Sequence, residues 1–283
     1  MAQVVGVFAA SHMPPIVHKW EHVDGARRAE VSAGYEEMGR RLIASQPDVL
    51  VMIGPDHLQN FFFDNFPAVC IGIGEEHLGP AEPWMKPVPE KYAGHRALGE
   101  HIAKTAFASD FEPATSRQFR LDHGFIIPLR FGKVERIPPI VPIVINTVEL
   151  PMPSVRRCDA WGALVTKAIA SFPGKARVAV IAHGGLSHSI GEPTMGEIDL
   201  EFDSGFMTRL GAPDTEELIR FTEERIGFAG NGAQESRHWV AARAAARACN
   251  PAARFDRIFY RAIPEWYTGL CIASWGLEAG APT

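Results

Sequence analysis

Hydrophobic residues of this chain fall into short continuous runs and into longer periodic stretches. The short runs are rich in Val and Ile and show little polar alternation; they cover residues 4–9, 49–53, 69–73, 140–145 and 178–182. Such runs are typical of strands buried on both faces of a sheet. Between them, three longer stretches carry apolar residues at helical spacing, namely 26–45, 90–108 and 155–171. Strands separated by helices predict an α/β fold, layered α/β/α, with a mixed, largely parallel central sheet.

Two stretches interrupt this alternation. Residues 74–89 hold four prolines and little periodicity, which predicts a long active-site loop. Residues 191–232 are polar and charged, with helix potential at 216–225, and predict a lid or a contact region. Because no internal repeat or linker divides the 283 residues, we predict one catalytic domain over residues 1–283.

The composition is that of a globular protein, with 46% hydrophobic and 22% charged residues. A net charge of −5 without a basic cluster argues against nucleic acid or an anionic membrane as a partner. No apolar run approaches the roughly 18 residues of a membrane span. The four cysteines share no CxxC spacing, and the first residues lack the pattern of a signal peptide. These features predict a cytoplasmic protein with reduced thiols.

Polar side chains follow the predicted strands at the points where they end. His12 and His57 come after the first two strands, Asn146 follows the run 140–145, and His183 and His188 follow the run 178–182. The carboxyl ends of parallel strands meet at one edge of a sheet, where ligand crevices form. A single histidine at such a position is more often structural. Histidines at three strand ends, flanked by Gly and Pro, favour a functional site.

A divalent metal held by histidines usually takes a carboxylate as well. Glu235 is the best candidate, although a glutamate in a first helical turn also complements the helix dipole. With His238 it forms a single Glu-x-x-His pair, whereas di-iron bundles need two. Ser187 lies in an incomplete nucleophile elbow without the final Gly. His123 lies in a loop-like stretch and is either a turn histidine or part of the site.

Five short motifs occur in order along the chain: ASHMP at 10–14, GPDH at 54–57 with FFFD at 61–64, DHGF at 122–125, GGLSH at 184–188 and IPEW at 263–266. Together they resemble the class III extradiol ring-cleavage dioxygenases, a family that includes the protocatechuate 4,5-dioxygenase β subunit and dihydroxyphenylpropionate dioxygenase. The resemblance extends from His12 to Trp266.

The resemblance implies that His12, His57 and Glu235 bind Fe(II), that His188 is the acid/base histidine and that His123 supplies a proton. It implies cleavage of a catecholic, carboxylated aromatic with O₂ to a muconic semialdehyde-type product, in the catabolism of aromatic compounds. Two histidines and one carboxylate leave ligand positions open for a diol and O₂. His183 departs from the family pattern, in which a small residue commonly precedes Gly-Gly, and its effect on that edge of the pocket stays open.

Other interpretations are compatible with these residues. Two His and one Glu also form a catalytic zinc set, so a zinc hydrolase is the first alternative. A non-catalytic member of the family, with a decayed site, is the second. Metal dependence and activity with catechols distinguish the three.

The side chains that contact the substrate are less defined by the sequence. Candidates for binding a carboxylate or ring hydroxyl are Arg117, Arg120, Arg130, Arg261, Tyr260 and Tyr267, with His183 at the pocket edge. The predicted partners are a small aromatic diol and O₂. The family resemblance implies a homo-oligomer, and a small accessory subunit is not excluded.

Overall fold

Strands and helices alternate along the chain in the computed structural model, which describes residues 1–85 and 90–277. The strands are β1 (Gln3–Ala10), β2 (Val49–Gly54), β3 (Val69–Gly72), β4 (Glu76–Gly79), β5 (Glu90–Ala93), β6 (Ala114–Ser116), β7 (Ile140–Ile145), β8 (Arg177–His183), β9 (Arg254–Ile263) and β10 (Thr268–Gly276). The α-helices are α1 (Pro15–His18), α2 (Gly25–Ala44), α3 (Arg96–Phe107), α4 (His123–Phe131), α5 (Val155–Ser171), α6 (Leu200–Gly211), α7 (Thr215–Arg225) and α8 (Ser236–Cys249). Short 3₁₀ helices cover Trp20–His22, Asn231–Glu235 and Pro264–Trp266.

Eight of these strands form one mixed sheet in the order β6-β3-β7-β2-β8-β1-β10-β9. The central strands β7, β2, β8 and β1 are parallel neighbours, while β10 and β9 extend the sheet in antiparallel fashion. The predicted α/β class with a mixed, largely parallel sheet is therefore confirmed. All four central strands end at the same edge of the sheet.

The central strands of the sheet are buried on both faces, as the continuous apolar runs predict. Along β2, Val49 and Val51 belong to the core on one face, and Leu50 and Met52 to the core on the other. Helices α3, α5 and α8 cover the first face, and α2 and α4 cover the second. The central strands therefore present almost no polar surface except at their ends.

The prediction of a helix over 90–108 is wrong in its first part. Residues 90–93 form β5, which pairs antiparallel with β4, and α3 begins only at Arg96. The His95 side chain caps this helix by accepting a hydrogen bond from the Leu98 amide. The strand pairing joins segments more than ten residues apart, so local spacing does not reveal it.

The predicted loop over 74–89 is correspondingly only partly a loop. Its residues 76–79 form β4, and 80–85 connect irregularly to the following segment, with 86–89 outside the described residues. The predicted lid or contact region over 191–232 contains α6 and α7, whose residues Phe202, Phe206 and Leu218 are buried in the core. Its first part, 191–199, is irregular surface chain, and shorter irregular stretches follow α6 at 212–214 and α7 at 226–230.

The structure also shows the state of the cysteines and the hydrophobicity of the helices. Cys70, Cys158, Cys249 and Cys271, all within the described residues, are free thiols. In the described part of the chain we find no helix with the length and hydrophobicity needed to cross a membrane.

Candidate active site

His12, His57 and Glu235 come together at the carboxyl edge of the sheet, although they are far apart in the sequence. His12 lies two residues after β1 and His57 three residues after β2. These two strands flank β8 on either side and run parallel to it, so both histidines emerge at the same edge. Glu235 is the last residue of the 3₁₀ helix that precedes α8.

The donor atoms of these three side chains are in mutual contact. His12 Nε2 lies 3.2 Å from His57 Nε2, and Glu235 Oε1 lies 3.3 Å from His57 Nε2. Glu235 Oε2 is 3.6 Å from His12 Nε2. Two ligand atoms each about 2.1 Å from one ion, at about 90–110° to each other, lie roughly 3.0–3.5 Å apart. The spacing and the chemistry of the donor set therefore fit one divalent ion.

Hydrogen bonds orient two of these side chains. Asp122 Oδ2 accepts hydrogen bonds from the His57 main-chain nitrogen at 2.9 Å and pairs with His57 Nδ1 at 3.0 Å. This contact places the proton of His57 on Nδ1 and leaves Nε2 free as a ligand. Glu235 Oε2 accepts a hydrogen bond of 2.6 Å from the amide of Gly185.

The electrostatics of the cluster favour positive charge. Burial raises the pKa of Glu235, but His12 and His57 outweigh this effect and hold its pKa well below the ordinary value. Burial lowers the pKa of His57, but Asp122 and Glu235 raise it by more than burial lowers it. The pKa of His57 therefore lies well above the ordinary value. Two buried carboxylates, Asp122 and Glu235, thus remain ionised where a cation can neutralise them.

His183 packs directly behind His12. Its ring is fully buried against Phe125, with the ring centroids 4.4 Å apart, and its Nδ1 lies 3.2 Å from His12 Nδ1. Burial and the neighbouring His12 lower its pKa well below the ordinary value, so the ring is neutral. A neutral His183 can accept the Nδ1 proton of His12, which leaves His12 Nε2 free as a donor. His183 thus supports His12 from behind and does not line the pocket edge, contrary to the prediction.

His188 approaches the cluster from the loop after β8. Its Nδ1 donates to the carbonyl of Leu186 at 2.9 Å, so Nε2 carries the lone pair. That nitrogen is buried without a hydrogen-bond partner in the described structure and lies 3.9 Å from Glu235 Oε2. Gly232 touches the ring so closely that a Cβ there would lie 2.0 Å from His188 Nε2.

His123 is the first residue of α4, and the loop-like interpretation of this stretch is wrong. Its ring centroid is 4.0 Å from that of His57 and 5.3 Å from that of His12. Nδ1 and the main-chain nitrogen of His123 both contact the carboxylate of Glu82. Burial and the charge of His57 lower the pKa of His123 to about 4. Its Nε2 has no partner among the described residues.

Glu82 is a site residue that the sequence analysis missed. The only signal was its position in the proline-rich stretch 74–89. His12, His57 and His123 also offer nitrogens within 4.8 Å of one another, as a second possible ligand set. We favour Glu235 over His123 as the third ligand because it brings a negative charge, while His123 is already engaged by Glu82.

Comparison with known proteins agrees with this geometry. The model of a family described as the catalytic LigB subunit of aromatic ring-opening dioxygenase matches residues 6–271. The chain belongs to this family. It is therefore an extradiol aromatic ring-opening dioxygenase by class, an oxidoreductase of aromatic catabolism.

Its curated relatives are similar over nearly their whole length. A Burkholderia vietnamiensis protein named 2,3-dihydroxyphenylpropionate/2,3-dihydroxicinnamic acid 1,2-dioxygenase is 30% identical, covering 92% of this chain and 93% of the relative. Proteins of the same name from Klebsiella pneumoniae and Escherichia coli K12 are each 27% identical, over 85% and 92% of this chain and 89% and 94% of the relatives. The solved structure of an uncharacterized Escherichia coli K12 protein covers 95% of this chain and 100% of its own at a TM-score of 0.60. With 10% identity, it supports the fold alone.

The two tyrosines predicted to contact substrate have different surroundings in this dioxygenase. The Tyr260 hydroxyl donates a hydrogen bond of 2.7 Å to the buried carboxylate of Asp203. This contact engages the hydroxyl and argues against the predicted substrate role. The Tyr267 hydroxyl instead accepts a hydrogen bond from Lys19, on a partly exposed surface.

Three of the four arginines proposed as carboxylate anchors are directed elsewhere. Arg120 donates to the carbonyl of Ala81 and, with Arg117, lines a separate surface cavity of about 690 Å³. Arg261 forms an ion pair with Glu30 at 2.7 Å. None of these contacts joins an arginine to the histidine cluster, so the predicted anchors gain no support.

Proposed function

We propose that the chain is an Fe(II)-dependent extradiol dioxygenase that opens the ring of a catechol carrying a carboxylate. The observation that carries the proposal is the contact between His12, His57 and Glu235 at 3.2–3.6 Å. Beside it lie two histidines whose Nε2 atoms have no hydrogen-bond partner among residues 1–85 and 90–277. His12, His57 and Glu235 are the ligands in this proposal. Iron bound by these three side chains would supply redox chemistry between a catecholate and O₂.

His188 removes the proton of a substrate hydroxyl. Its Nδ1–H is fixed on the Leu186 carbonyl, so the unpartnered Nε2 is the nitrogen that accepts the proton. Its distance of 3.9 Å from Glu235 places this nitrogen next to the ligand set. Such a positioned base contributes typically 10²–10⁴-fold to a rate.

His123 accepts and then donates a proton on the other side of the cluster. Because its pKa is lowered to about 4, the ring is neutral at pH 7 and its Nε2 is able to accept a hydrogen bond from a substrate. If Nε2 takes a proton, the carboxylate of Glu82 at Nδ1 stabilises the imidazolium that forms. His123 can then return this proton to the opened product.

The reaction balances without a further reductant. The carbon–carbon bond beside the diol breaks, and both atoms of O₂ enter the product as an aldehyde and a carboxylate oxygen. The ring supplies the electrons, and the product is a muconic semialdehyde-type acid. The chain therefore needs only Fe(II), the diol and O₂.

The carboxylated substrate class rests on the relatives. Those compared above are named for 2,3-dihydroxyphenylpropionate and 2,3-dihydroxicinnamic acid, which both carry a side-chain carboxylate. We extend this class, and not a particular compound, to the present chain. A soluble cytoplasmic homo-oligomer that acts without an accessory subunit completes the proposal.

The test loads the purified protein with Fe(II) under anaerobic conditions and adds a panel of catechols with air. We expect O₂ uptake, a yellow product and, with ¹⁸O₂, two labelled atoms per product molecule. The His57→Ala variant and the chelated protein serve as controls and should be inactive. Activity with zinc but not with iron would replace the proposal with a zinc hydrolase. Absence of stoichiometric iron and of all turnover would favour a non-catalytic family member.

A further inference from the structure

The segment that follows His12 ends in a lysine. Helix α1 begins three residues after His12, and Lys19 comes directly after it. The Lys19 carbonyl accepts a hydrogen bond of 2.9 Å from the indole of Trp266. Trp266 stacks on Trp20, with ring centroids 5.4 Å apart. The backbone of Lys19 is thus fixed to the turn that precedes β10.

Tyr267 lies at the end of that turn and meets the lysine side chain. The Lys19 ammonium donates to the Tyr267 hydroxyl and lies 4.4 Å from the centroid of its ring. Tyr267 adopts a φ of 63°, a left-handed conformation that is unfavourable for a large side chain. Over residues 1–85 and 90–277, Lys19 forms no ion pair with a carboxylate.

Two series of contacts connect the chain neighbours of this pair to the segments of the proposed reacting groups. On one side, His18 packs on Trp84 and Trp84 packs on His123, with ring centroids 5.5 and 5.4 Å apart. On the other side, Gly269, two residues after Tyr267, hydrogen-bonds to the backbone of Leu186 and Ser187, next to His188. Residues adjacent to the pair in sequence therefore connect it to the segment of His123 and to the loop of His188.

We propose that Lys19 and Tyr267 form a carboxylate subsite that selects diols with an acidic side chain. This inference rests on the proposed function and assigns its specificity to two named residues. The Tyr267 hydroxyl accepts a hydrogen bond from Lys19, so its own O–H can donate a hydrogen bond to a carboxylate. An acidic substrate thus receives one charged and one neutral hydrogen bond, and its charge is balanced by an ammonium without a competing acidic partner.

The subsite predicts a change in selectivity on substitution. We compare 2,3-dihydroxyphenylpropionate with 3-propylcatechol, which lacks the charge but keeps the length of the side chain. In Lys19→Met the ratio of kcat/KM for the acid over that for the neutral diol should fall at least about tenfold, mainly through KM. Lys19→Arg should restore part of the ratio, and Tyr267→Phe should lower it by a smaller factor. Lys175→Met, on an exposed lysine, is the control.

A binding measurement separates this inference from the proposed function. Calorimetric titration of 3-phenylpropionate, which has no diol, should give a dissociation constant about tenfold higher for Lys19→Met than for the unchanged protein. If Lys19→Met binds 3-phenylpropionate more weakly but the unchanged protein does not turn over any diol, the subsite is supported and the proposed reaction is wrong. If the protein is active and its selectivity ratio is the same in Lys19→Met as in the unchanged protein, the subsite is wrong. The proposed reaction is not affected by that result. If Lys19→Met loses kcat/KM equally with both diols, the subsite is also wrong, because an equal loss indicates a structural role for Lys19.

Discussion

Asp122 holds His57 at two points, through the main-chain nitrogen at 2.9 Å and through ring Nδ1 at 3.0 Å. Its other oxygen accepts a hydrogen bond of 2.8 Å from Gly124 and caps α4, the helix that begins with His123. One carboxylate thus orients a proposed iron ligand and the helix that carries a proposed proton donor. This link explains why Asp122 remains ionised: burial raises its pKa, but His57 outweighs burial and holds it well below the ordinary value.

The first prediction concerns this carboxylate. In Asp122→Asn, the amide oxygen can still cap α4, but an amide NH₂ faces the two N–H groups of His57. His57 then favours the proton on Nε2, where it blocks the metal. We expect the affinity for Fe(II) to fall about 10–100-fold, measured by anaerobic calorimetric titration. The exposed Asp64→Asn is the control. Equal affinity in both variants would contradict the assigned orientation.

The second prediction separates iron binding from turnover. His188 is the proposed base and not a ligand, so His188→Ala should keep stoichiometric iron and lose turnover by about 10²–10⁴-fold. Metal analysis and an oxygen electrode give the two quantities on one sample. The exposed His22→Ala controls for the loss of a histidine. Loss of iron from His188→Ala would show that its assigned role is wrong.

The third prediction tests whether turnover depends on the position of the His188 ring. A methyl group added in Gly232→Ala would lie 2.0 Å from His188 Nε2, so the ring must move. We expect iron to stay bound and kcat to fall by about 10²-fold, the scale of an approximately 1 Å displacement. Gly227→Ala is the matched control, since nothing lies within 4 Å of the added carbon. Similar kcat values for the two variants would argue against a role for this contact.

The sequence predicts the parts of the fold that depend on local pattern. Apolar runs without alternation indicate buried parallel strands, and the positions of His12, His57 and His188 after such strands suffice to bring them to one edge. The association of Glu235 with them came from a family resemblance. Its local pattern fits a helix cap equally well.

The missed features depend on contacts between distant segments. Strand β5 exists because it pairs with β4, and Glu82 matters because α4 brings His123 to it. Lys19 carries no motif, and only the turn before β10 gives it a partner. Tyr260 was placed at the substrate because tyrosines suit ring hydroxyls, whereas its strand directs the hydroxyl to Asp203.

The last prediction concerns Asp203, which is fully buried on α6. It accepts hydrogen bonds from the Ser187 amide at 2.9 Å and from Tyr260 at 2.7 Å, and so holds the loop that leads to His188. Burial outweighs these hydrogen bonds and raises its pKa to about 6, from 3.8 in an unfolded chain. Between these two values the unfolded chain loses its proton while the folded protein keeps it. Stability from this group is therefore complete below about pH 4 and is lost as the pH rises through 6.

Asp203→Asn removes this ionisation and keeps the shape of the side chain. A pKa difference of about two units corresponds to about 3 kcal/mol. The free energy of unfolding of the variant, relative to the unchanged protein, should therefore rise by about 3 kcal/mol between pH 4 and pH 7. Urea denaturation with chelator present measures it without a contribution from metal, and Asp64→Asn controls for the loss of one acidic group. If both variants follow the same pH course, the Asp203 carboxyl is not protonated in the folded protein at pH 5, and its contacts with Ser187 and Tyr260 offset the effect of burial on its pKa.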